Sequence, residues 1–510
     1  MPRTRFQEVI ALPALSMHVS LRKRTGSLRA ALMLLLLLAA TVATSSAQTF
    51  KTLYNFCSKI SPSGVCLDGR NPYASLVQGA NGDLYGVTEG GGAGTGGAGS
   101  GGTLFKITAA GKLTTLYNFC SQPSCTDGGF PGAELLLATD GNFYGVTEGG
   151  GAGAGSGGTV FKTTAAGKLT TLHNFCSQPS CSDGGAPNTG LVQATNGNFY
   201  GTTYYGGVYG NYGTAFEITP SRVFTSLHSF CALGLPCPDG FQPNGLIQAT
   251  DGNLYGTTRR GNNDNISDGT FFQLTLSGTL NTRAYIYNPN GRFPNSALVQ
   301  AANGNFYGTG DQGGEFGYGS AFEITPGGTV STLYFFCQVD PSCSDGNDPN
   351  TLILAPDGNF YGTTELGGAN NSGSVFQITS TGQLTTLHSF TGTDGAVPFG
   401  LLLDTDGTFY GTTSQGGPNL QGTIFSLATG LGPFIKTIPT SGQVGTKVTI
   451  LGTNLTGATA VHFNGTAATF KVVGSSAIKT TVPVGATSGT VTVTTAGGAT
   501  LNSNVAFQVP

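Results

Sequence analysis

The sequence predicts an all-β protein, a seven-bladed β-propeller of four-stranded antiparallel blades followed by a small β-sandwich. Three observations carry this. The 510 residues include 83 Gly, no Trp and only 9% charged side chains, a turn-dense composition, while 38% hydrophobic and 10% aromatic residues supply a core and exclude disorder. A Tyr-Gly pair follows a turn at Tyr85, Tyr144, Tyr200, Tyr255, Tyr307, Tyr361 and Tyr410, so one unit recurs seven times at a period of about 50 residues. After Leu431 the repeat stops, and alternating runs such as VTI and TVTVT, split by Gly-rich turns, take its place.

Residues 1–47 belong to targeting rather than fold. Arg22, Lys23, Arg24 and Arg29 precede the apolar run Ala31–Ala43, and Ser45, Ser46 and Ala47 offer small residues for cleavage before Gln48. A run of about a dozen apolar residues is short for a bilayer span. The expectation is a signal peptide, starting at Met1 or Met17, and an exported mature chain without a membrane span; an uncleaved anchor is the alternative. A net charge of −3 offers no electrostatic footprint for nucleic acid.

Within residues 48–428 every copy has the same parts. A β-prone run such as TTLYNF (114–119) leads into a loop ending in D-G-x-x-P, then an apolar run such as ELLLA (134–138), a D-G-N turn, FYGVTE, a glycine-rich loop and a closing run such as TVFKT (159–163). The loop motif keeps one spacing: Asp68/Pro72, Asp127/Pro131, Asp183/Pro187, Asp239/Pro243, Asn290/Pro294, Asp345/Pro349 and Asp394/Pro398. Short β-branched and aromatic runs between such turns read as an antiparallel meander. One such sheet cannot bury both faces, whereas seven packed radially can; a linear stack is the alternative. If the first strand of the chain is outermost, it completes the last blade and locks the ring. The glycine run TEGGGAGAGSGG (147–158) matches a loose phosphate-binding fingerprint, but no helix follows it, so it reads as a strand connector.

All ten cysteines lie between the first and second runs of a copy, as Cys57/Cys66, Cys120/Cys125, Cys176/Cys181, Cys231/Cys237 and Cys337/Cys343. The fifth and seventh copies lack both members together, which predicts disulfides in an oxidising compartment rather than a metal site. His173, His228 and His388 occupy a slot filled by Tyr54, Tyr117, Tyr285 and Tyr334 elsewhere, so that slot calls for an amphipathic ring rather than a titrating group.

In an up-and-down meander the Cys loops and glycine loops share one face of the ring, the face where variation gathers. Four residues after the motif tyrosine the copies read Glu89, Glu148, Tyr204, Arg259, Asp311, Glu365 and Ser414. In a chain this poor in charge, that slot is the candidate ligand-binding ring, with solvated strand ends as the alternative. Tyr204, Tyr205, Tyr209 and Tyr212 in one glycine loop, together with EFGYG (315–319), add aromatic surface suited to stacking on a sugar or a partner protein. No H-E-x-x-H, G-x-S-x-G or P-loop is present, no catalytic residue is assigned, and no cofactor or metal is expected; calcium has no motif behind it. Carboxyls from different blades could still meet at glycosidase separation.

The C-terminal phrases IPTSGQVGTKVTILGTNL, AVHFNG and VPVGATSGTVTVTT closely resemble the IPT/TIG domain, which implies an immunoglobulin-like fold over residues 434–510 after a linker at 429–433, serving as a spacer or a protein- or carbohydrate-contacting module. The D-G-N-x-Y-G-T-T-x-x-G-G units with their G-T-x-F closing strand resemble the bacterial GloVer tandem repeat, which implies export and repeat architecture and brings no established activity. Members of that family carry varied C-terminal anchors, whereas this sequence ends at Pro510 without an apolar helix or basic tail. The expectation is an exported, non-enzymatic binding or adhesion protein whose loop face recognises polysaccharide or a surface protein. A lyase or glycosidase using the ring carboxylates and a structural envelope protein are the alternatives.

Overall fold

Strand pairing in the computed structural model gathers the repeat into seven sheets, each offset by one strand from the sequence unit. The structure describes residues 48–94, 101–152, 157–261, 268–288, 290–339 and 341–510. Sheet one comprises Val77–Gln78, Leu84–Thr88, Thr103–Ile107 and Leu113–Asn118, so its outer strand comes from the second sequence copy. Each following sheet repeats this order, with the run after D-G-x-x-P innermost. The seventh takes Ala396–Leu403, Thr408–Gln415 and Thr423–Ala428 from the end of the repeat and Thr49–Asn55 from its beginning. That antiparallel pairing of the first strand with the last closes the ring. The expected signal peptide lies outside the described residues, and no described helix is long and apolar enough to cross a membrane.

The recurring motifs are the contacts between neighbouring sheets. The tyrosine of each Tyr-Gly pair is buried and in five of the seven meets the aromatic ring one place earlier in the next sheet, as Tyr85 on Phe143 at 4.3 Å, Tyr144 on Phe199 at 3.9 Å and Tyr307 on Phe360 at 4.3 Å, while Tyr200 and Tyr410 pack with Leu254 and Leu84. Its hydroxyl reaches back to the preceding turn, as where Tyr144 donates to Asp140 at 3.0 Å. Such offset ring pairs bury large apolar area while the polar tip stays satisfied. Tyr410 and Ile424 of the last sheet share a core with Leu76, Leu84 and Phe105 of the first, so the packing also runs full circle.

The aspartate of D-G-x-x-P is an organising acceptor. Asp127 is buried and accepts from the Tyr117 hydroxyl at 2.7 Å, the Ser121 hydroxyl at 2.7 Å and the Ser121 amide at 2.9 Å. His228 and His388 take the tyrosine's part in their copies, each with Nε2 at 3.0 Å from Asp239 or Asp394. Either ring offers an apolar body and a polar tip, which explains the Tyr/His alternation. Burial holds His173 and His388 below the usual histidine range, against the opposing pull of their aspartates, Asp183 and Asp394.

The cysteines pair within their own loops, as their joint loss from two copies predicts: Cys57 with Cys66, Cys120 with Cys125, Cys176 with Cys181, Cys231 with Cys237 and Cys337 with Cys343. The second member of a pair also fastens the glycine loop. The carbonyls of Cys66, Cys125, Cys181 and Cys343 accept from the amides of Gly92, Gly151, Gly207 and Gly368 at 2.8–3.0 Å. In the remaining pair the Cys237 carbonyl accepts from Gly240, which holds the turn of its own loop. Cys125, Cys181, Cys237 and Cys343 are left-handed, with φ between +51° and +59°, whereas Cys66, which closes the longest of these loops, is not.

The residue before each motif proline is left-handed in all seven copies: Asn71, Phe130, Ala186, Gln242, Phe293, Asp348 and Val397, with φ between +49° and +59°. Only glycine adopts this conformation freely, and a β-branched residue is strained most by it. The turn is held because the backbone bridges to a neighbour; the Phe130 carbonyl, for instance, accepts from the Glu148 amide at 3.1 Å. We expect Val397→Gly to leave stability unchanged or raise it by about 0.5 kcal/mol, the relieved strain offsetting glycine's extra chain entropy. Val397→Ala keeps most of that strain, so a denaturant midpoint for Val397→Gly below that of Val397→Ala would contradict this account.

Residues 434–510 form two four-stranded sheets around Val448, Ile450, Val461, Phe463, Ile478, Val491 and Val493. This module is docked rather than tethered. Leu451 and Ala477 share a core with Leu137 of the propeller, Phe434 packs with Leu403, and the Lys436 ammonium donates to the Leu403 carbonyl at 2.5 Å. Contact falls on the face of the short turns, opposite the Cys loops.

Candidate functional site

Seven inner strands surround a central channel, and on the loop side it widens into a cavity of about 670 Å³. The slot four residues after the motif tyrosine points into it: Glu89, Glu148, Tyr204, Arg259, Asp311 and Glu365 all line this one cavity. Ser414 does not. Its side chain is fully buried and its hydroxyl donates to the Val397 carbonyl at 3.2 Å, a short side chain that ends at the wall, whereas Arg259 and Glu365, beside equally unbroken inner strands, reach past it. The tyrosine cluster is divided too. Tyr204 lines the channel with Tyr205 exposed at its edge, 4.7 Å away, while Tyr209 lines a separate outer groove with His228 and Phe224. Tyr212 packs against the core beside Phe241 at 5.7 Å, so it is a structural ring rather than a ligand contact. No cysteine reaches the cavity. Cys66, Cys125, Cys181, Cys237 and Cys343, like their partners, are staples of the loops around its mouth and offer a ligand nothing directly.

A second tier of lining residues escaped the sequence reading. It is the position just after the motif proline: Tyr73, Gly132, Asn188, Asn244, Asn295, Asn350 and Phe399. Four Pro-Asn dipeptides in an otherwise constant frame were the available signal. Three of these asparagines tie their sheet to the next, donating from Nδ2 to the carbonyls of Pro294 (2.5 Å), Pro349 (3.1 Å) and Pro398 (2.9 Å). Asn188 Oδ1 is buried without a partner. Tyr73 and Phe399 meet edge to face at 5.0 Å.

Spacing between the motif proline and the next inward leucine explains the shape of the wall. Three residues separate them in sheets one, two, three and five, and two in sheets four, six and seven. The shorter spacing gives continuous inner strands, Phe241–Gln248, Asn347–Leu354 and Ala396–Leu403; the longer one breaks the ladder and leaves pairs such as Leu136–Leu137. In sheet two the additional residue is Glu134. It is open to the lumen yet walled in by protein, and this burial raises its carboxyl above the usual range. Gly190 makes room for it, since a Cβ there would lie 2.6 Å from Glu134 Cγ. Gly132 likewise leaves space for Glu148, whose Oε1 would stand 2.7 Å from a Cβ.

The lining is predominantly acidic. Its cation Arg259 is paired with Asp311 at 2.7 Å. Burial pushes Glu148 up to about 7, with the charge of Glu89 adding to it, and Glu365 up to about 7, with Asp348 and Asp311 adding to it. Asp311 is raised to about 6 by burial despite Arg259, and Glu89 is raised by burial against the opposing Arg70. Among the described residues no three His, Cys, Asp or Glu side chains stand close enough to hold a metal ion. Glu148 and Glu365 bind protons more tightly folded than unfolded, so their contribution to stability is full below pH 4.5 and is lost as pH rises through about 7. The double variant Glu148→Gln/Glu365→Gln should therefore gain about 1–3 kcal/mol over the parent between pH 5 and pH 8. Parallel pH–melting curves for the two proteins would contradict this.

Fold and site together define a closed propeller with a lined central channel and a docked sandwich module. The chain belongs to the Gloeobacter/Verrucomicrobia repeat family, which matches residues 42–261 and 232–425, and residues 433–509 match the IPT/TIG domain. No curated protein matches it. Similar solved structures include the periplasmic gluconolactonase of Pseudomonas aeruginosa, at 16% identity over 65% of this chain and 84% of that one, with a TM-score of 0.39. A Bacteroides thetaiotaomicron structural genomics protein of unknown function is 14% identical over 75% of this chain and 76% of that one, with a TM-score of 0.39. A luciferin-regenerating enzyme is 11% identical over 72% of this chain and 94% of that one, with a TM-score of 0.38. Likeness at this level carries no inference about chemistry.

Proposed function

We propose that the protein is an exported, non-enzymatic binding protein whose channel mouth on the loop face recognises a carbohydrate, with the IPT/TIG module as a rigid base or second contact. One observation carries the reading: six side chains that vary within a closely repeated frame converge on a single cavity, of a size suited to a small ligand. The five disulfides fit an extracellular setting. A polysaccharide-array assay on the purified chain, with and without calcium and with product release followed on each hit, tests it. Saturable binding without product supports the proposal; no binding to any glycan removes the carbohydrate and leaves a surface protein as the partner.

A second reading, a carbohydrate-active enzyme, is favoured by Glu148, which is held near pH 7 beside Glu89 and so resembles a general acid paired with a second carboxylate. Product release abolished in Glu148→Gln would replace the first reading with this one.

A further inference from the structure

The channel's acidic arc runs over sheets six, seven, one and two. Glu365 stands at one end, Glu89, Glu148 and Glu134 at the other, and the Tyr73–Phe399 pair lies between them. Tyr73 feels the charges of both Glu89 and Glu365, which places the ring between carboxyls from either end of the arc. Glu134 has no hydrogen-bond or ion-pair partner among the described residues, and burial is the only influence on its carboxyl. Two glycines, Gly132 and Gly190, stand where bulkier side chains would displace Glu148 and Glu134. Among the described residues the lining's cation, Arg259, is paired with Asp311 and also acts on Glu365, and Arg70 acts on Glu89, whereas no cation acts on Glu134 or Glu148.

Such an arrangement asks for positive charge from outside. A metal ion would need ligands converging on a point, and no three acidic, His or Cys side chains among the described residues converge in this way. Carboxyls spread around a cavity of about 670 Å³ instead match a ligand whose charges are themselves spread along a polar backbone. The faces of Tyr73 and Phe399 supply the cation–π partner that an ammonium group takes beside a carboxylate.

Building on the channel-binding reading above, we infer that the ligand is an organic polycation: a molecule carrying two or more ammonium groups, such as an oligomer of a free amino sugar or a linear polyamine, held by Glu134, Glu148, Glu89 and Glu365 against the Tyr73–Phe399 pair. Acidic saccharides are disfavoured by the same arc, because their carboxylates would face its carboxyls, and neutral ones, which can donate hydroxyls to the arc, lack the charge to match it.

Calorimetric titration of the full chain at pH 7.5 with glucosamine trimer, spermidine, N-acetylglucosamine trimer and galacturonic acid trimer tests this. Expected is saturable binding of a polyammonium probe at least tenfold tighter than of the N-acetylated or acidic trimer. Glu134→Gln/Glu148→Gln, with an unchanged or raised melting temperature, should weaken it at least tenfold. Preference for glucosamine trimer over spermidine would assign the saccharide source, and the reverse the polyamine. Tighter binding of a neutral or acidic trimer, weakened by Tyr73→Ala, would overturn the polycation inference and keep the channel as the site. Polycation binding unaffected by the carboxyl variants would overturn the inference by placing the contact elsewhere, and absence of binding by all four probes would overturn the inference and remove saccharide support for the channel reading.

Discussion

A chain lacking residues 48–55 should lose the folded monomer at 37 °C. The missing strand pairs with Thr423–Ala428 as the outer strand of sheet seven, and its Phe50 stacks on His388 at 3.6 Å and on Phe425 at 5.5 Å. Tyr54 is lost with it, leaving the fully buried Asp68 without its 2.6 Å hydroxyl donor. Removing the half-buried Phe50 ring costs about 2–3 kcal/mol and a lost partner of a buried charged group about 1–3 more. The uncovered strand is also a ready template for pairing with another chain. Size-exclusion chromatography and thermal melting check this: higher oligomers, or a melting temperature at least 15 °C lower, are expected. A peptide spanning residues 48–56, added in trans, should restore part of the loss. A truncated monomer that melts with the parent would mean that the ring is held by inter-sheet packing alone.

Gly201→Ala should cost about 3 kcal/mol, although it adds only a methyl group. The new Cβ would lie 2.7 Å from Leu191 Cδ2 and 2.7 Å from Phe216 Cζ, and both of those side chains are buried. Neither can withdraw, since Phe216 is pressed from behind by Phe175 at 5.2 Å. The glycine of each Tyr-Gly pair is thus the seat of the phenylalanine in G-T-x-F, and the two motifs are halves of one contact. Gly197→Ala is the control: its φ is +86°, but nothing lies within 4 Å of the added carbon, so only the backbone term of about 1 kcal/mol applies. Denaturant midpoints should separate the two variants clearly; equal losses would show that the Phe216 ring has room to shift.

Most of the architecture was legible because it is written seven times. Repetition exposed the unit, paired loss exposed the disulfides, and substitution of Tyr by His at one slot exposed an amphipathic ring whose partner is the loop aspartate. What the cysteine pattern could not reveal is the second bond of Cys66, Cys125, Cys181 and Cys343, because a backbone carbonyl leaves no mark on residue identity. The ring slot was also legible, since Glu89, Glu148, Arg259, Asp311 and Glu365 stand out against a charge-poor frame. Ser414 was misplaced because a slot shared by seven copies does not register reach: the short serine hydroxyl ends on the Val397 carbonyl, where Arg259 and Glu365 extend into the lumen. Glu134 and the asparagines after the prolines were missed for a different reason. Their direction depends on where the inner strand breaks, and an alternating pattern cannot be read across a break. The offset between sequence unit and sheet was visible only as a possibility, because a repeating chain can be cut into equal sheets at any strand.

The difference of one residue between proline and leucine has a consequence for how such a protein diversifies. The Tyr-Gly seat lies outside that interval and is shared by long and short copies alike, whereas the interval itself carries the asparagine ties and the Tyr73–Phe399 pair between neighbouring sheets. A single-codon insertion or deletion there changes which side chains reach the lumen and re-forms one tie to the next sheet, while the seat of the Tyr-Gly glycine is kept. Duplicated copies can therefore drift in ligand preference one codon at a time, each as one sector of a shared wall.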